Sequence, residues 1–463
     1  MQAVQLTRSQ TGWKFRCPFT MSASAVISAL ARSLSAGELT VDATLTRATR
    51  TLGHAWRWLP PLAGRYVEAF AGHTRPRHRD VVRFLLEDAG FQRARVVHRQ
   101  KLAIVHWLNE PNRMQPVGAA ERWDLPVIET VGDLAKFLSV SATELEWFAD
   151  LKGLCHKLDN PKLQHYYYRV VSKRFGGVRL IESPKRQLKE MQRRILSLIL
   201  NPIPPHRAVH GFVPGRSIVT FAAPHADKRV VLRLDLENFF PASPAARVRA
   251  TFRTLGYPEP VADRLGGICS NAVPRSIWAE RPLEFNANLW LEARNLYGRP
   301  HLPQGAPTSP ALANVTAFRL DCRLSGLARS TGAAYTRYAD DLAFSGGEEF
   351  SRVVERFSAH AAAIALEEGF EVNHHKTRIM RQEARQSLAG IVVNKQINLR
   401  RRDFEILEAT LTNCVRSGPE SQNRRELPDF RAHLEGRIGF AEMVNREKAR
   451  RLRSLFDAIQ FRT

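Results

Sequence analysis

Asp340 and Asp341 are adjacent in YADDL, between two apolar segments of strand character, AYTRY and LAFS. Phosphoryl transfer to a nucleotide runs on two divalent cations held ~3.5–4 Å apart. Carboxylates on a fixed backbone suit that task, because Mg²⁺ takes oxygen ligands in near-octahedral geometry. A hairpin keeps both side chains near one point, and like charges that close call for a compensating cation. Asp235 ends a second β-rich stretch, RVVLRLDLENFF, and offers a third carboxylate. Taken alone, a DD dipeptide fits a solvated turn better than a metal site, so its surroundings have to decide.

The elements that would position these residues follow from periodicity. Leu134, Phe137, Leu138, Leu145, Phe148 and Leu151 recur at helical spacing, with Thr130 and Ser141 as caps. Tyr168 and Val170, then Val178 and Leu180, alternate as in strands, and RFGG supplies the hairpin turn between them. QLKEMQRRILSLIL reads as an amphipathic helix ending before Pro202. LPQGAPTSPALANVTAFRLDCRL is a polar loop running into a helix, and AAYTRYADDLAFSG is strand, tight turn, strand. FSAHAAAIALEEGF is a helix, EVNHHKTRIM a strand and SLAGIVVNKQINL a hairpin. From Arg401 onward the chain is helical and Arg-rich.

The 463 residues suggest two to four structural units. Lys and Arg number 69 against 45 Asp and Glu, a formal charge of +24 that repels itself unless a polyanion neutralises it. Nucleic acid is the leading partner; an anionic membrane surface or a generally basic proteome also accounts for such a charge. Cys17, Cys155, Cys269, Cys322 and Cys414 form no C-x-x-C pair, which argues against a zinc site and for reduced thiols in the cytoplasm. No apolar run reaches the ~20 residues of a membrane span, and the N-terminus lacks the apolar core of a secretion signal. Met21 to Leu34 reads as a helix, as does DVVRFLLEDAGF. Up to about Glu121 no chemical motif is visible, and EPNRMQPVGAAERWDLP reads as a linker.

Between Leu134 and Asn398 the blocks GGVRLIESPKRQLKEMQRRIL, HGFVPGRS, RLDLENFF, LPQGAPTSPALAN, YADDLAFSG and GFEVNHHKT follow in that order. They resemble the blocks of bacterial retron-type reverse transcriptases. The resemblance implies an α+β right-hand polymerase. It would comprise a mostly helical N-terminal extension (1–125) with an accessory or binding role, fingers and palm (126–390), and a helical, RNA-binding thumb (391–463). The palm would be an antiparallel sheet with helices on one face and the carboxylates at its edge. The implied activity is RNA-directed DNA synthesis with two Mg²⁺, or Mn²⁺ in their place. The implied partners are deoxynucleoside triphosphates, a cognate structured non-coding RNA and its DNA copy. Retron priming by a guanosine 2′-hydroxyl yields branched RNA–DNA, and the systems are associated with antiphage defence, usually with a separate effector protein.

By the same resemblance, Asp235, Asp340 and Asp341 match the metal-binding triad, with the carbonyl of Leu236 completing the shell. Phe240 matches the aromatic under the incoming sugar, which selects against a 2′-hydroxyl. Gln304 and Gly305 match the loop touching the nucleotide. Arg179 resembles the fingers residue on the triphosphate, seconded by Lys173, and Lys376 a lysine that serves the pyrophosphate. Arg216 would contact template or phosphate, and His210 and Gly211 would shape its loop. In the thumb, LRRRDF with Arg401, and then Arg424, Arg425, Arg437, Arg446, Arg450, Arg451 and Arg453, offer cations for RNA. Two retron signatures are altered. FAAPH keeps Ala222 and His225 of an Asn-Ala-x-x-His pattern but has Phe221 for the Asn, and Leu388 to Gly390 keeps only the glycine of Val-Thr-Gly. Other standalone, defence-associated or intron-type reverse transcriptases are the near alternatives, although an intron enzyme would need a further region after the thumb. A catalytically silent RNA-binding scaffold is the distant one; the intact triad and Gln304 argue against it.

Overall fold

The structure is a computed structural model that describes residues 23–71, 76–99, 101–106, 113–157, 160–173 and 177–461. The chain divides into two compact units. The first comprises the chain up to Arg122 together with Val127–Ala142 and Arg253–Ala262. Its helices include Ala23–Ser35, Val41–Leu52, Leu59–Ala69, His78–Glu87, Ala89–Val97 and Val131–Leu138. Leu30, Leu62, Tyr66, Leu85 and Phe91 meet in its core with no exposed surface. DVVRFLLEDAGF is two helices rather than one. Asp88 leaves the helical conformation, and its side chain accepts from Phe91 N to cap the second helix. Thr130 and Asp133 form a reciprocal capping box at the start of Val131–Leu138.

The second unit holds the rest. Strands β1 (Tyr166–Ser172) and β2 (Val178–Pro184) form an antiparallel hairpin. Its tip, Arg174 to Gly176 of the expected RFGG turn, lies outside the described residues. The main sheet contains β3 (Val230–Glu237), β4 (Ala334–Tyr338), β5 (Asp341–Gly346), β6 (Glu371–Val372) and β7 (Arg378–Arg381). The order runs β4-β5-β3, with β6 and β7 both on the free side of β3, and each pairing is antiparallel. A small hairpin follows, β8 (Ser387–Leu388) with β9 (Ile391–Val392).

Another expectation needs correction. EVNHHKTRIM is not one strand but β6 and β7 with a turn between them. The carbonyl of Asn373 accepts from the amides of Lys376 and Thr377, both at 3.1 Å, and its side chain accepts from Lys376 N, so the ladder is interrupted locally. The carboxylates lie near the end of β3 and at or just before the start of β5, at the sheet's margin. VVLRLDL is nearly continuously apolar and is buried on both faces, as an inner strand must be.

Strand side chains alternate between faces. On one face, Phe344 of β5 meets Phe357 of the long helix Glu348–Glu367, with ring centroids 4.9 Å apart. On the other, Val231 and Ala343 join a core shared with Phe221, Leu388 and Ile391. Leu407, Leu411, Leu434, Ile438, Leu452 and Phe456 of the helices Arg401–Ser417, Phe430–Val444 and Arg446–Asp457 complete it. Each such fully buried aliphatic or aromatic side chain contributes ~1.5–3 kcal/mol.

His225 fastens this arrangement. Its Nε2 lies 2.7 Å from Thr336 Oγ1 on β4 and its Nδ1 2.7 Å from Ser345 Oγ on β5. Thr336 donates its own proton to the carbonyl of Phe221, so it accepts from Nε2, and Nδ1 accepts from Ser345. The ring is therefore neutral, and burial, with the charges of His210 and Lys228, lowers its pKa to about 3. In the unfolded chain it takes a proton near pH 6.5. The unfolded state thus binds the extra proton, and the stabilisation, complete above pH 6.5, is lost as pH falls toward 3. Between pH 7.5 and 5.5 the wild type should lose about 1.4 kcal/mol more than His225→Gln in urea unfolding. Parallel pH profiles for the two proteins would contradict this account.

Candidate active site

Arg233 and Asp235 share one face of β3, and in the ladder Arg233 lies opposite Ala343 and Asp235 opposite Asp341. Directly opposed residues in such a pair have Cα atoms ~4.5–5.5 Å apart. Asp340 occupies the turn just before Asp341, and its carbonyl accepts from Leu236 N at 2.8 Å. Asp235, Leu236, Asp340 and Asp341 are therefore brought to one corner of the sheet. Burial, and then the charges of Asp235 and Asp341, push the pKa of Asp340 up to about 6. Burial also raises Asp341, against the opposing effect of Arg233.

Two cations answer this negative charge. Lys376, brought in by the turn between β6 and β7, places Nζ 2.8 and 3.1 Å from the two oxygens of Asp235. Arg233 donates through Nε and Nη2 to a single oxygen of Asp341, Oδ1, at 2.8 and 2.6 Å. Among the described residues no three acidic, histidine or cysteine side chains already enclose one point as a metal cage. The donor set nevertheless fits a hard divalent cation: all oxygen, clustered, and with one member destabilised as an anion.

The residues expected to hold a nucleotide lie just after β1, on β2 and in the loops after β3 and before Ser309–Thr316. Lys173 follows β1 and donates to Asn238 Oδ1 at 2.9 Å. Its pKa is lowered by burial, with the charges of Glu237, Arg179, Lys376 and Asp235 as smaller influences. Arg179 projects exposed from β2. Phe240 is half-buried, its ring 6.1 Å from that of Phe212. The carbonyl of Gln304 accepts from Glu182 N at 2.8 Å. Gly305 has φ +131°, and a Cβ there would stand 2.8 Å from the Glu182 carbonyl, so the loop's approach to β2 requires glycine.

The expected nucleic-acid contacts are not gathered here. Arg216 turns inward, its Nη1 donating to the carbonyls of Arg207 (2.8 Å) and Val209. Arg401 pairs with Glu405 on its own helix at 2.7 Å. Arg450 lines a hollow with Arg446 and Arg453.

Several supporting residues escaped the sequence reading. Ala339, before the Asp pair, has φ +55°, an uncommon value for a residue with a Cβ. Arg337 donates through Nη1 to the Ala339 carbonyl and to Asn314 Oδ1, both at 3.1 Å, while Asp321 takes its Nε and Nη2 at 2.8 and 2.6 Å. Asn314 in turn donates to the Gly211 carbonyl at 2.9 Å. A Cβ on Gly211 would stand 2.5 Å from Ala339 N. The turn is thus clamped from two sides. Arg233 was legible in principle, since it lies one strand period before Asp235.

Asp340 yields a prediction. Its unfolded carboxyl ionises near pH 3.8 and its folded one near 6, so its contribution, full below 3.8, is lost as pH rises through 6. At pH 7.5 with chelator, Asp340→Asn should be more stable than wild type by on the order of 1–3 kcal/mol, the upper end discounted because the group is part-exposed. At pH 4 the gain should vanish. Thermal unfolding at both values decides it, and a loss of stability at pH 7.5 would refute the repulsion argument.

Comparison with known proteins agrees with this geometry. The reverse transcriptase (RNA-dependent DNA polymerase) family matches residues 171–406. The retron Mx65 reverse transcriptase of Myxococcus xanthus is 42% identical over 338 residues, 72% of this chain and 72% of that one. The retron Mx162 reverse transcriptase of the same organism is 37% identical over 306 residues, 63% of this chain and 59% of that one. The retron Ec86 reverse transcriptase of Escherichia coli is 29% identical over 333 residues, 71% of this chain and 88% of that one. With its paired strand-end carboxylates and these relatives, the chain belongs to the retron reverse transcriptases and is an RNA-directed DNA polymerase.

Proposed function

We propose that this polymerase copies part of a cognate structured non-coding RNA into single-stranded DNA, with Asp235, Asp340 and Asp341 as its metal ligands. The observation that carries the reading is the cross-strand pairing of Asp235 with Asp341, next to Asp340 and with Lys376 on Asp235. Two Mg²⁺ ions, or Mn²⁺, bound by the three carboxylates and the Leu236 carbonyl would acidify the attacking hydroxyl and neutralise the leaving pyrophosphate. The protein's own groups supply the rest. Arg179 and Lys173 grip the triphosphate as paired and single donors. Lys376 is placed to hand a proton to the pyrophosphate or to offset its charge. Phe240 lies under the sugar, and Gln304 with Gly305 orients the nucleotide.

The relatives' retron names support a retron RNA as template; the reading extends to a branched RNA–DNA product and a place in antiphage defence beside a separate effector protein. In this reading the Arg-rich C-terminal helices, with Arg401 and Arg450, bind that RNA, Arg216 lies toward the template, and the N-terminal helical unit has an accessory or binding role. The net charge of +24 supports a polyanionic partner.

Primer extension on an RNA template with dNTPs and Mg²⁺ tests the chemistry. Wild type should make DNA, EDTA should abolish it, and Asp340→Ala should fall by about 10³-fold or more, the scale of losing a directly acting catalytic group. Absence of wild-type product would end the enzymatic reading. With the cognate RNA, labelled DNA should keep the mass of attached RNA under denaturing conditions and lose it on ribonuclease treatment. Phe240→Val should raise the relative use of ribonucleotides by about 10- to 200-fold, the range for one steric difference in a pocket. Unaltered sugar selectivity would remove Phe240 from that role.

A further inference from the structure

Two buried titratable groups lie behind the loop proposed to touch the nucleotide and contact none of the proposed metal ligands. Glu182 is on β2, and His301 opens the loop carrying Gln304 and Gly305; their side chains are 0% and 1% exposed. His301 Nε2 stands 2.9 Å from Glu182 Oε2, and Nδ1 stands 2.6 Å from the carbonyl of Arg299. A carbonyl only accepts, so Nδ1 carries a proton, and Nε2 and the carboxylate share a second. The other Glu182 oxygen accepts from Asn271 Nδ2 at 2.8 Å, and that nitrogen also reaches the Tyr168 hydroxyl at 3.1 Å. Burial alone would lower the pKa of His301, but Glu182's charge and hydrogen bond, with the Arg299 carbonyl, hold it above its ordinary value.

Three routes run from this pair to the pocket. Glu182 N donates to the Gln304 carbonyl at 2.8 Å, and its own carbonyl fills the space that a Cβ on Gly305 would need. His301 exchanges backbone hydrogen bonds of 2.9 Å with Asn271. The next residue, Leu302, donates to the Ser243 carbonyl at 3.1 Å, and Ser243 N donates to the Phe240 carbonyl at 3.0 Å. Arg179 lies on the same strand as Glu182. The fingers strand, the Gln304 loop and the Phe240 loop are thus joined through backbone at or next to this buried pair.

We propose that Glu182 and His301 are positioning residues that set the geometry of the incoming-nucleotide pocket, acting on nucleotide affinity and sugar selection without touching the substrate. The inference rests on the polymerase reading above. It is tested by single-nucleotide incorporation on a fixed primer–template with the full chain. Glu182→Gln keeps the side chain's size and removes its charge; His301→Gln keeps a donor toward Glu182. For both, KM for the dNTP should rise by about 10- to 100-fold, the scale of a misplacement of about 1 Å. The kcat should stay within about threefold and primer–template affinity should be unchanged, the signature of lost uniform binding. Ribonucleotide discrimination should loosen in parallel.

A merely structural role would lower the melting temperature and the active fraction while leaving KM for the dNTP at its wild-type value. That result in either folded variant overturns the proposal. Should both single variants fail to fold, the double variant Glu182→Gln/His301→Gln, which leaves no lone buried charge, carries the same measurement with the same two outcomes. A wild type that extends no primer removes the polymerase reading itself, whereas an active wild type with unchanged KM in the variants removes only this inference.

Discussion

The register of β3 on β5 is the constraint on which the rest depends. It sets Asp235 opposite Asp341 with Asp340 next in the turn. Because side chains alternate, a slip of one residue would send Asp235 to the helix-packed face and separate the pair. The register is held from both faces, by Phe344 against Phe357 on one and by Val231 and Ala343 in the shared core on the other. Its cost is electrostatic. Like charges gathered at one partly buried corner repel, and that repulsion adds to burial in raising Asp340 and Asp341. The hydrophobic register thus stabilises an arrangement the carboxylates themselves oppose, and Lys376 and Arg233 offset part of that opposition.

The turn between β4 and β5 carries the second cost, a left-handed Ala339. Its conformation persists because Arg337 holds its carbonyl and the absence of a side chain at Gly211 makes room for its amide. His225 ties the strands on both sides of this turn to the segment Phe221–His225. That gives the retained half of the Asn-Ala-x-x-His pattern a physical meaning. The substituted half, Phe221, is fully buried and packs its ring against Tyr338 of β4. A hydrophobic side chain at that position suits the core it enters.

Much of this was legible in the sequence, for identifiable reasons. The strands around YADD and LDLENFF were legible because periodicity is a local feature, whereas the metal-site reading of their carboxylates came from the ordered blocks that resemble the family's. The palm strands, the fingers hairpin and the Arg-rich C-terminal helices could be read from spacing alone. Chain order did not reveal Arg337 with Asp321, or Glu182 with His301. The second pair is 119 residues apart, and only the folded topology brings its members together. Asn373 misled because EVNHHKTRIM has strand composition, while the Asn side chain closes a local turn that periodicity does not register. The same turn is what brings Lys376 onto Asp235.

The two buried ionic joints show how polar groups hold the turns that carry the proposed site. Apolar packing is non-directional and needs cover on all sides, which a substrate cleft cannot supply along its mouth. Hydrogen bonds to charged groups are directional and strong, and they stabilise a buried ion pair only when its remaining lone pairs and protons are also taken. Both joints meet that condition. Asn271 and the Arg299 carbonyl complete Glu182–His301, and Asn314, Tyr335 and the Ala339 carbonyl complete Arg337–Asp321. One joint stands behind the loop proposed to hold the nucleotide and the other behind the carboxylate turn. The positions of the groups that face substrate are therefore set by polar side chains that never reach it.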